Sequence, residues 1–172
     1  CCVVGPGTAA LVVNDGLFVC GDLYLGFSGG AADAVQTFTL NGGTANGKTY
    51  VGGLIRTKGY DLNVNLCLNG FTLSATNPNT PLLSVPGTQT LTLSDCKGGG
   101  KLQTAANGNI VVQAYGDSKN GLKGTFTMYG GTISGARFGV WANNSCGSFN
   151  MFGGTITGNE YGVSISSGAS FT

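Results

Sequence analysis

Apolar and polar residues alternate along the short hydrophobic runs of this chain. Phe126 and Met128 alternate with Thr125 and Thr127, and Phe149 and Met151 alternate with polar residues in the same way. Alternation with period two, rich in threonine, valine, isoleucine and aromatic residues, predicts β-strands with one buried face. No longer window combines helical spacing with capping residues. The pattern therefore predicts an all-β protein.

The strand pattern repeats. The segment 124–135 reads GTFTMYGGTISG, and the segment 147–158, which begins 23 residues later, reads GSFNMFGGTITG. The match continues from 138–140 to 161–163, and a third copy begins at 170–172. Self-similarity at a period of 20 to 50 residues is typical of solenoids.

Each repeat contains three short strands. An alternating strand is followed by a Gly-Gly corner, a short step at Ile133 or Ile156, a second glycine corner and a third strand. Glycine suits such corners because a positive φ costs it little. This arrangement predicts a parallel β-helix of roughly seven coils, with equivalent residues stacked at ~4.8 Å. Phe126, Phe149 and Phe171 would then form one column. A sandwich of hairpins is the alternative, because five Asn-Gly pairs also fit hairpin turns, but the in-phase repeat favours stacking.

The repeat resembles a known group of proteins. The pattern F-x-M-x-G-G-T-I-[ST]-G, at 126–135 and 149–158, resembles the right-handed parallel β-helix repeats of bacterial surface and adhesin-like proteins. The segments 66–73, 91–95 and 98–102 resemble upstream coils of such proteins. The resemblance implies a right-handed β-helix and brings no catalytic residues with it. We expect an N-terminal arm and first coil at 1–35, and β-helix repeats at 36–172, within a single domain.

Composition narrows the classes of function. The net charge is +1 and only 9% of residues are charged, which excludes non-specific electrostatic binding of nucleic acid. The chain has no histidine, so the commonest general base and zinc ligand are missing. No run approaches the ~20 apolar residues of a membrane span. We therefore expect no metal, no cofactor, no nucleic-acid partner and no membrane span.

Six cysteines without any C-x-x-C spacing favour disulfides over a metal site. Disulfides imply an oxidising location, so we expect a secreted, extracellular or cell-surface protein. Adjacent cysteines are only ~3.8 Å apart where a disulfide favours ~5.5 Å, so Cys1 and Cys2 need separate partners. The prediction is that Cys1 and Cys2 crosslink subunits, while the remaining four form internal disulfides: Cys20, Cys67, Cys96 and Cys146.

Several alternatives stay open for the cysteines. Six cysteines allow 15 pairings, and all of them within one chain is one possibility. Cys1 as the lipid-modified first residue of a lipoprotein is another, and six free thiols in a cytosolic protein is a third. The Cys-Cys pair also resembles the inter-subunit crosslinks of bacterial spore appendage fibres, although that resemblance is two residues deep.

The sequence ends within a predicted strand, at 168–172, and no charged or helical cap follows. Solenoids usually protect their ends with capping repeats. One alternative is that the protein continues beyond residue 172 and covers this end itself. We expect instead that the N-terminal coil of a second copy covers it, and a head-to-tail contact that does not close produces a filament. The expected stacking residues are apolar and come from both ends of the chain: Val3, Val4, Leu11, Val13, Val163, Ile165 and Phe171.

These observations predict a structural subunit of an extracellular filament. The alternative is a monomeric cell-surface adhesin or carbohydrate-binding module, with host or matrix glycans stacked on Tyr129, Phe152 and Trp141. A polysaccharide lyase or hydrolase is the third candidate, because parallel β-helices host such enzymes. Glycoside hydrolysis needs two carboxylates ~5 to 9.5 Å apart, whereas the seven acidic residues are spread along the chain. We therefore expect no catalytic residues.

Overall fold

The structure is a computed structural model. It describes the strands at 9–13, 17–25, 34–40 and 44–51, and then residues 62–75, 79–143 and 146–172. Side chains are described from residue 63 onward, except at 75 and 105–108.

The described residues form fifteen β-strands and one short 3₁₀ turn at Ser118–Asn120, which confirms the predicted all-β class. The strands are β1 (Ala9–Val13), β2 (Leu17–Leu25), β3 (Ala34–Leu40), β4 (Thr44–Val51), β5 (Leu62–Cys67), β6 (Thr72–Ala75), β7 (Leu83–Val85), β8 (Gln89–Ser94), β9 (Lys101–Tyr115), β10 (Thr125–Met128), β11 (Thr132–Asn143), β12 (Ser148–Met151), β13 (Thr155–Ile156), β14 (Tyr161–Ile165) and β15 (Ser170–Phe171).

The strands form two parallel sheets. The seven-stranded sheet has the order β1-β3-β5-β8-β10-β12-β15, and the eight-stranded sheet has the order β13-β11-β9-β6-β4-β2. In the second sheet β14 also pairs with β11, and β7 pairs with β4 and β9. Parallel neighbours require a crossover connection, and here each crossover passes through the other sheet. The predicted boundary between residues 35 and 36 lies inside β3. The described residues do not test the division into two segments, which stays a prediction.

The seven-stranded sheet aligns paired residues in columns, as the register of its backbone shows. One column runs through Ala9, Gln36, Val64, Leu91, Phe126, Phe149 and Phe171. Its members from Val64 to Phe149 are fully buried. The three phenylalanine rings stack at centroid distances of 5.2 and 5.1 Å, which confirms the predicted ladder.

The eight-stranded sheet contributes further apolar columns to the same core. Ile133 is paired with Ile156, as predicted, and Leu73 and Leu102 precede them in one column. A single cluster of buried residues contains side chains from both sheets. Among the residues whose structure is described, none belongs to a helix long and apolar enough to cross a membrane.

Candidate functional site

Among the side chains that the structure describes, most of the large exposed apolar ones lie in or directly after the last four strands, β12 to β15. We call these four strands the terminal layer. It lies at one edge of both sheets, and its backbone N–H groups donate to the preceding layer, as from Thr155 to Gly131 and from Ser166 to Ala142, both at 2.9 Å. An edge strand presents a row of backbone groups that can pair with another strand. The terminal layer is therefore a candidate docking edge.

Burial changes sharply between the terminal layer and the layer before it. Ile133 and Val140 of the preceding layer are fully buried, whereas Ile165 is 39% and Phe171 51% exposed. Phe149 of the terminal layer is still fully buried against Phe171, and three further apolar residues of this layer are half-buried: Met151, Ile156 and Val163. The same columns that form the core thus reach the surface here.

The predicted stacking residues fall at two opposite edges. Val163 and Ile165 lie in β14, and Phe171 lies in β15. Leu11 and Val13 lie in β1, the strand at the other edge of the seven-stranded sheet. Val3 and Val4 lie outside the described residues. Within one chain the two groups therefore lie apart. A head-to-tail contact between two chains requires this separation.

Two aromatic pairs outside the core cluster continue the stacking, and Phe138 in the second of them is half-buried. Tyr129 and Phe152, which are 57% and 64% exposed, stack at 5.1 Å with an angle of 19° between their planes. Phe138 and Tyr161 stack at 5.2 Å. Arg137 lies 5.2 Å from the Phe138 ring centroid, and a cation over an aromatic face is attracted by the ring quadrupole. Its Nε is 3.5 Å from Glu160 Oε2.

Trp141 does not join the aromatic platform that the sequence suggested. Tyr129 and Phe152 follow strands of the seven-stranded sheet, whereas Trp141 lies in β11 of the other sheet. Its ring stacks on Phe138 at 5.4 Å, and its Nε1 donates to Ser166 Oγ at 3.3 Å. The side chain is half-buried and fastens β11 to the terminal layer.

Asp95 joins two turns that are distant in sequence. One carboxylate oxygen accepts a hydrogen bond from the Gly70 backbone N–H and the other accepts from the Gly100 N–H, both at 2.7 Å. The sequence favours a turn-capping role for an aspartate before glycines. The cap on Gly100 has that local origin, whereas the bond to Gly70 arises only from stacking. Asp95 therefore acts as a clamp between successive layers.

Asn159 forms a second clamp, which sequence reasoning missed. Its Oδ1 accepts from the Ala136 N–H at 3.1 Å, and its Nδ2 donates to the carbonyls of Ile133 and Thr157 at 3.2 and 3.1 Å. The available signal was a departure from the repeat, since the equivalent position one repeat earlier is Ala136. A polar residue that replaces alanine at a corner marks a place where backbone groups need a partner.

The cysteines divide into three groups. Cys67 and Cys96 form a disulfide with Cα atoms 6.5 Å apart, joining β5 to the turn after β8. Cys146 has a free, half-buried thiol, so its predicted internal disulfide is not formed here. The Cys20 side chain and all of Cys1 and Cys2 lie outside the described residues, and their pairing stays a prediction.

The described acidic side chains all have partners. Asp95 is the clamp, and Glu160 faces Arg137. Asp117 accepts from Asn120 Nδ2 at 2.7 Å and from the Lys119 N–H at 3.0 Å. The hydrogen bond from the Asn120 side chain is the main cause that holds the pKa of Asp117 below its ordinary value. Within the described residues, no three histidine, cysteine or acidic side chains are grouped to hold a metal ion.

No known protein family, curated protein or solved structure matches this chain.

Proposed function

We propose that this chain is a structural subunit of an extracellular filament. In this proposal the two parallel sheets are faces of one right-handed β-helix, and copies stack head to tail with Cys1 and Cys2 as inter-subunit crosslinks. Right-handed crossovers account for ~98% of connections between parallel strands in one sheet, which supports the handedness.

The observation that carries the proposal is that two mostly apolar columns run from one edge of the sheets to the other, interrupted by Gln36 in one and by Thr49 in the other. The column that ends at Phe171 begins at Ala9, and the column that ends at Val163 begins at Leu23. If β1 and β2 of a second copy lay beside β15 and β14, these two columns would continue with the apolar residues Ala9 and Leu23. Because all the strands are parallel, the second copy would add in the same direction.

A contact of this kind is heterologous, since one edge of the molecule meets a different edge of the next. Heterologous contacts that do not close into a ring extend indefinitely. Stacking would remove exposed aromatic and aliphatic surface and pair both rows of backbone groups. Low charge also fits such packing, because only Glu160 carries a charge among the residues of 147–172.

The glycan-binding alternative receives less support from ring geometry. A sugar stacks on the face of an aromatic ring, but Tyr129 and Phe152 already share their facing surfaces. The free face of Phe152 points along the stacking direction, where a further strand would lie. A glycan array with saturable binding to this chain would nevertheless favour the adhesin alternative.

The proposal is tested by sedimentation velocity on the oxidised 172-residue chain over a range of concentrations. We expect polymers that grow with concentration. Ile165→Asp places a charge at the exposed end of the column that contains Val85, Ala114 and Ala142, and it should raise the concentration needed for assembly at least about tenfold. Asn109→Asp adds the same charge on an exposed position of β9, between two paired strands, and should assemble like the unmodified chain.

A monomer at every concentration would contradict the proposal and indicate that something other than a second copy covers the terminal layer. Polymers that form equally well with Ile165→Asp would also contradict it. The crosslinks are tested separately by electrophoresis with and without reductant. A ladder that collapses on reduction, and disappears in a Cys1→Ser, Cys2→Ser double variant, supports the assigned cysteines.

A further inference from the structure

Asparagine followed by glycine is chemically reactive. The glycine nitrogen attacks the asparagine side-chain carbon, and glycine offers no side chain to hinder that attack. The chain contains five Asn-Gly pairs, and the structure describes the asparagine side chain in two of them, Asn69-Gly70 and Asn120-Gly121. Both pairs lie in turns, but their glycine nitrogens have different partners.

The nucleophile of the first pair is held by a carboxylate. The Gly70 N–H donates to Asp95 Oδ1 at 2.7 Å in a partly buried setting. Attack requires this nitrogen to lose its proton, which would break a charge-assisted hydrogen bond and place a negative charge beside the Asp95 carboxylate. The flanking backbone is also fixed, since Leu68 N–H donates to Ser94 O at 3.0 Å and Phe71 N–H to Leu68 O at 2.9 Å.

The nucleophile of the second pair is held weakly. The Gly121 N–H donates to a neutral carbonyl, that of Ser118, at 3.3 Å. Asn120 and Gly121 are both exposed, and the 3₁₀ turn that contains Asn120 has no buried residue. Segments with few buried contacts open locally at little cost in free energy. Asp117 binds the Asn120 amide rather than the Gly121 nitrogen, so it does not block attack.

We propose that Asn120 is a site of spontaneous deamidation in the folded protein, and that the Asp95 clamp protects Asn69. The Gly121 nitrogen forms a bond to Asn120 Cγ and loses its proton, while the Cγ–Nδ2 bond breaks and the side-chain nitrogen leaves as ammonia. Water then opens the resulting succinimide ring at either carbonyl, giving aspartate or isoaspartate. The product places a second carboxylate beside Asp117.

The test compares the two sites within the same molecule. The folded chain is incubated at mildly alkaline pH, and a second sample is incubated in concentrated urea. Proteolysis and mass spectrometry then measure aspartate and isoaspartate at each site. In the folded sample Asn120 should react about tenfold faster than Asn69 or more, the factor that one charge-assisted hydrogen bond represents. In urea the two rates should converge.

Two variants sharpen the comparison. Asp95→Ala should accelerate the reaction at Asn69 in the folded state and leave Asn120 unchanged. Asp95→Asn keeps a neutral hydrogen-bond acceptor and replaces the alanine variant in the test if that variant does not fold. We expect it to accelerate the reaction at Asn69 by a smaller factor. Equal rates at both sites in the folded chain, faster reaction at Asn69, or no reaction at Asn120 would each overturn the proposal. None of these outcomes depends on whether the chain forms filaments.

Discussion

Replacing Phe149 by alanine removes the middle ring of the phenylalanine column. The ring is fully buried and stacks on Phe126 at 5.2 Å and on Phe171 at 5.1 Å. Truncation of a buried phenylalanine to alanine costs ~3–5 kcal/mol of unfolding free energy. The stacking of each ring pair accounts for ~0.5–1.5 kcal/mol of this cost, in addition to the effect of the buried area. Domains are stable by only ~5–15 kcal/mol in total, so the loss is a large fraction.

Phe152 provides a matched control three residues later. Its ring is 64% exposed and stacks on the exposed ring of Tyr129, so Phe152→Ala should cost no more than ~1.5 kcal/mol. Phe149→Leu retains most of the buried volume and should cost about the same small amount. Urea unfolding followed by circular dichroism measures all three, at matched protein concentration because association shifts apparent stability.

With a urea m-value of ~1–3 kcal/mol/M, the Phe149→Ala midpoint should fall by about 1 M or more. Hydrogen exchange at β10 and β12 checks that the loss is local, since repeat proteins can unfold in parts. Equal small shifts for Phe149→Ala and Phe152→Ala would refute the assignment of the column to the core.

Three further predictions concern the turns. Asp95→Ala leaves two backbone donors without their carboxylate and should cost ~2–4 kcal/mol in the same urea assay, with a smaller loss for Asp95→Asn; a change below ~0.5 kcal/mol would contradict the clamp. Gly154→Ala forces a φ of +92° on alanine and places its Cβ 2.8 Å from the backbone carbonyl oxygen of Gly131, which cannot move aside as a side chain can. It should therefore cost more than the ~1–2 kcal/mol strain expected for Gly98→Ala, where φ is +79° and the added Cβ would meet no described atom within 4 Å; equal costs would contradict the packing. The hydrogen bond from Asn120 lowers the pKa of Asp117 in the folded state. The stability that this bond contributes is therefore present above the unfolded-state pKa of Asp117 and is lost as pH falls through the folded-state pKa. An NMR titration of Asn120→Ala should show a higher pKa for Asp117, and an unchanged pKa would exclude the hydrogen bond as the main cause of the lowered value.

The repeats made part of this fold predictable. The in-phase segments placed Phe126 beside Phe149 and Ile133 beside Ile156, because a 23-residue period fixes the register between neighbouring strands. Farther upstream the repeat length is irregular, since the chain between the paired strands β8 and β10 includes the long strand β9 and the 3₁₀ turn. Gln36 shares a column with Val64 and Phe126, and no local pattern indicates this position.

The clamps were less predictable than the strands. A single aspartate before glycines suggested a cap for Asp95, but its bond to Gly70 depends on which turn lies in the next layer. Asn159 satisfies the backbone of the preceding layer in the same way. Trp141 lies in β11, beyond the Gly130-Gly131 corner that carries the chain from β10 into the other sheet and away from Tyr129. Long-range contacts of this kind follow from stacking and are not encoded within a single repeat.

Electron cryo-microscopy of the oxidised chain tests the central claim most directly. The account predicts unbranched filaments in which strands repeat at ~4.8 Å along the axis, with β1 of one copy beside β15 of the next and all copies in the same orientation. Separate, unassociated particles at concentrations well above micromolar, or filaments joined through the outer faces of the sheets, would contradict it.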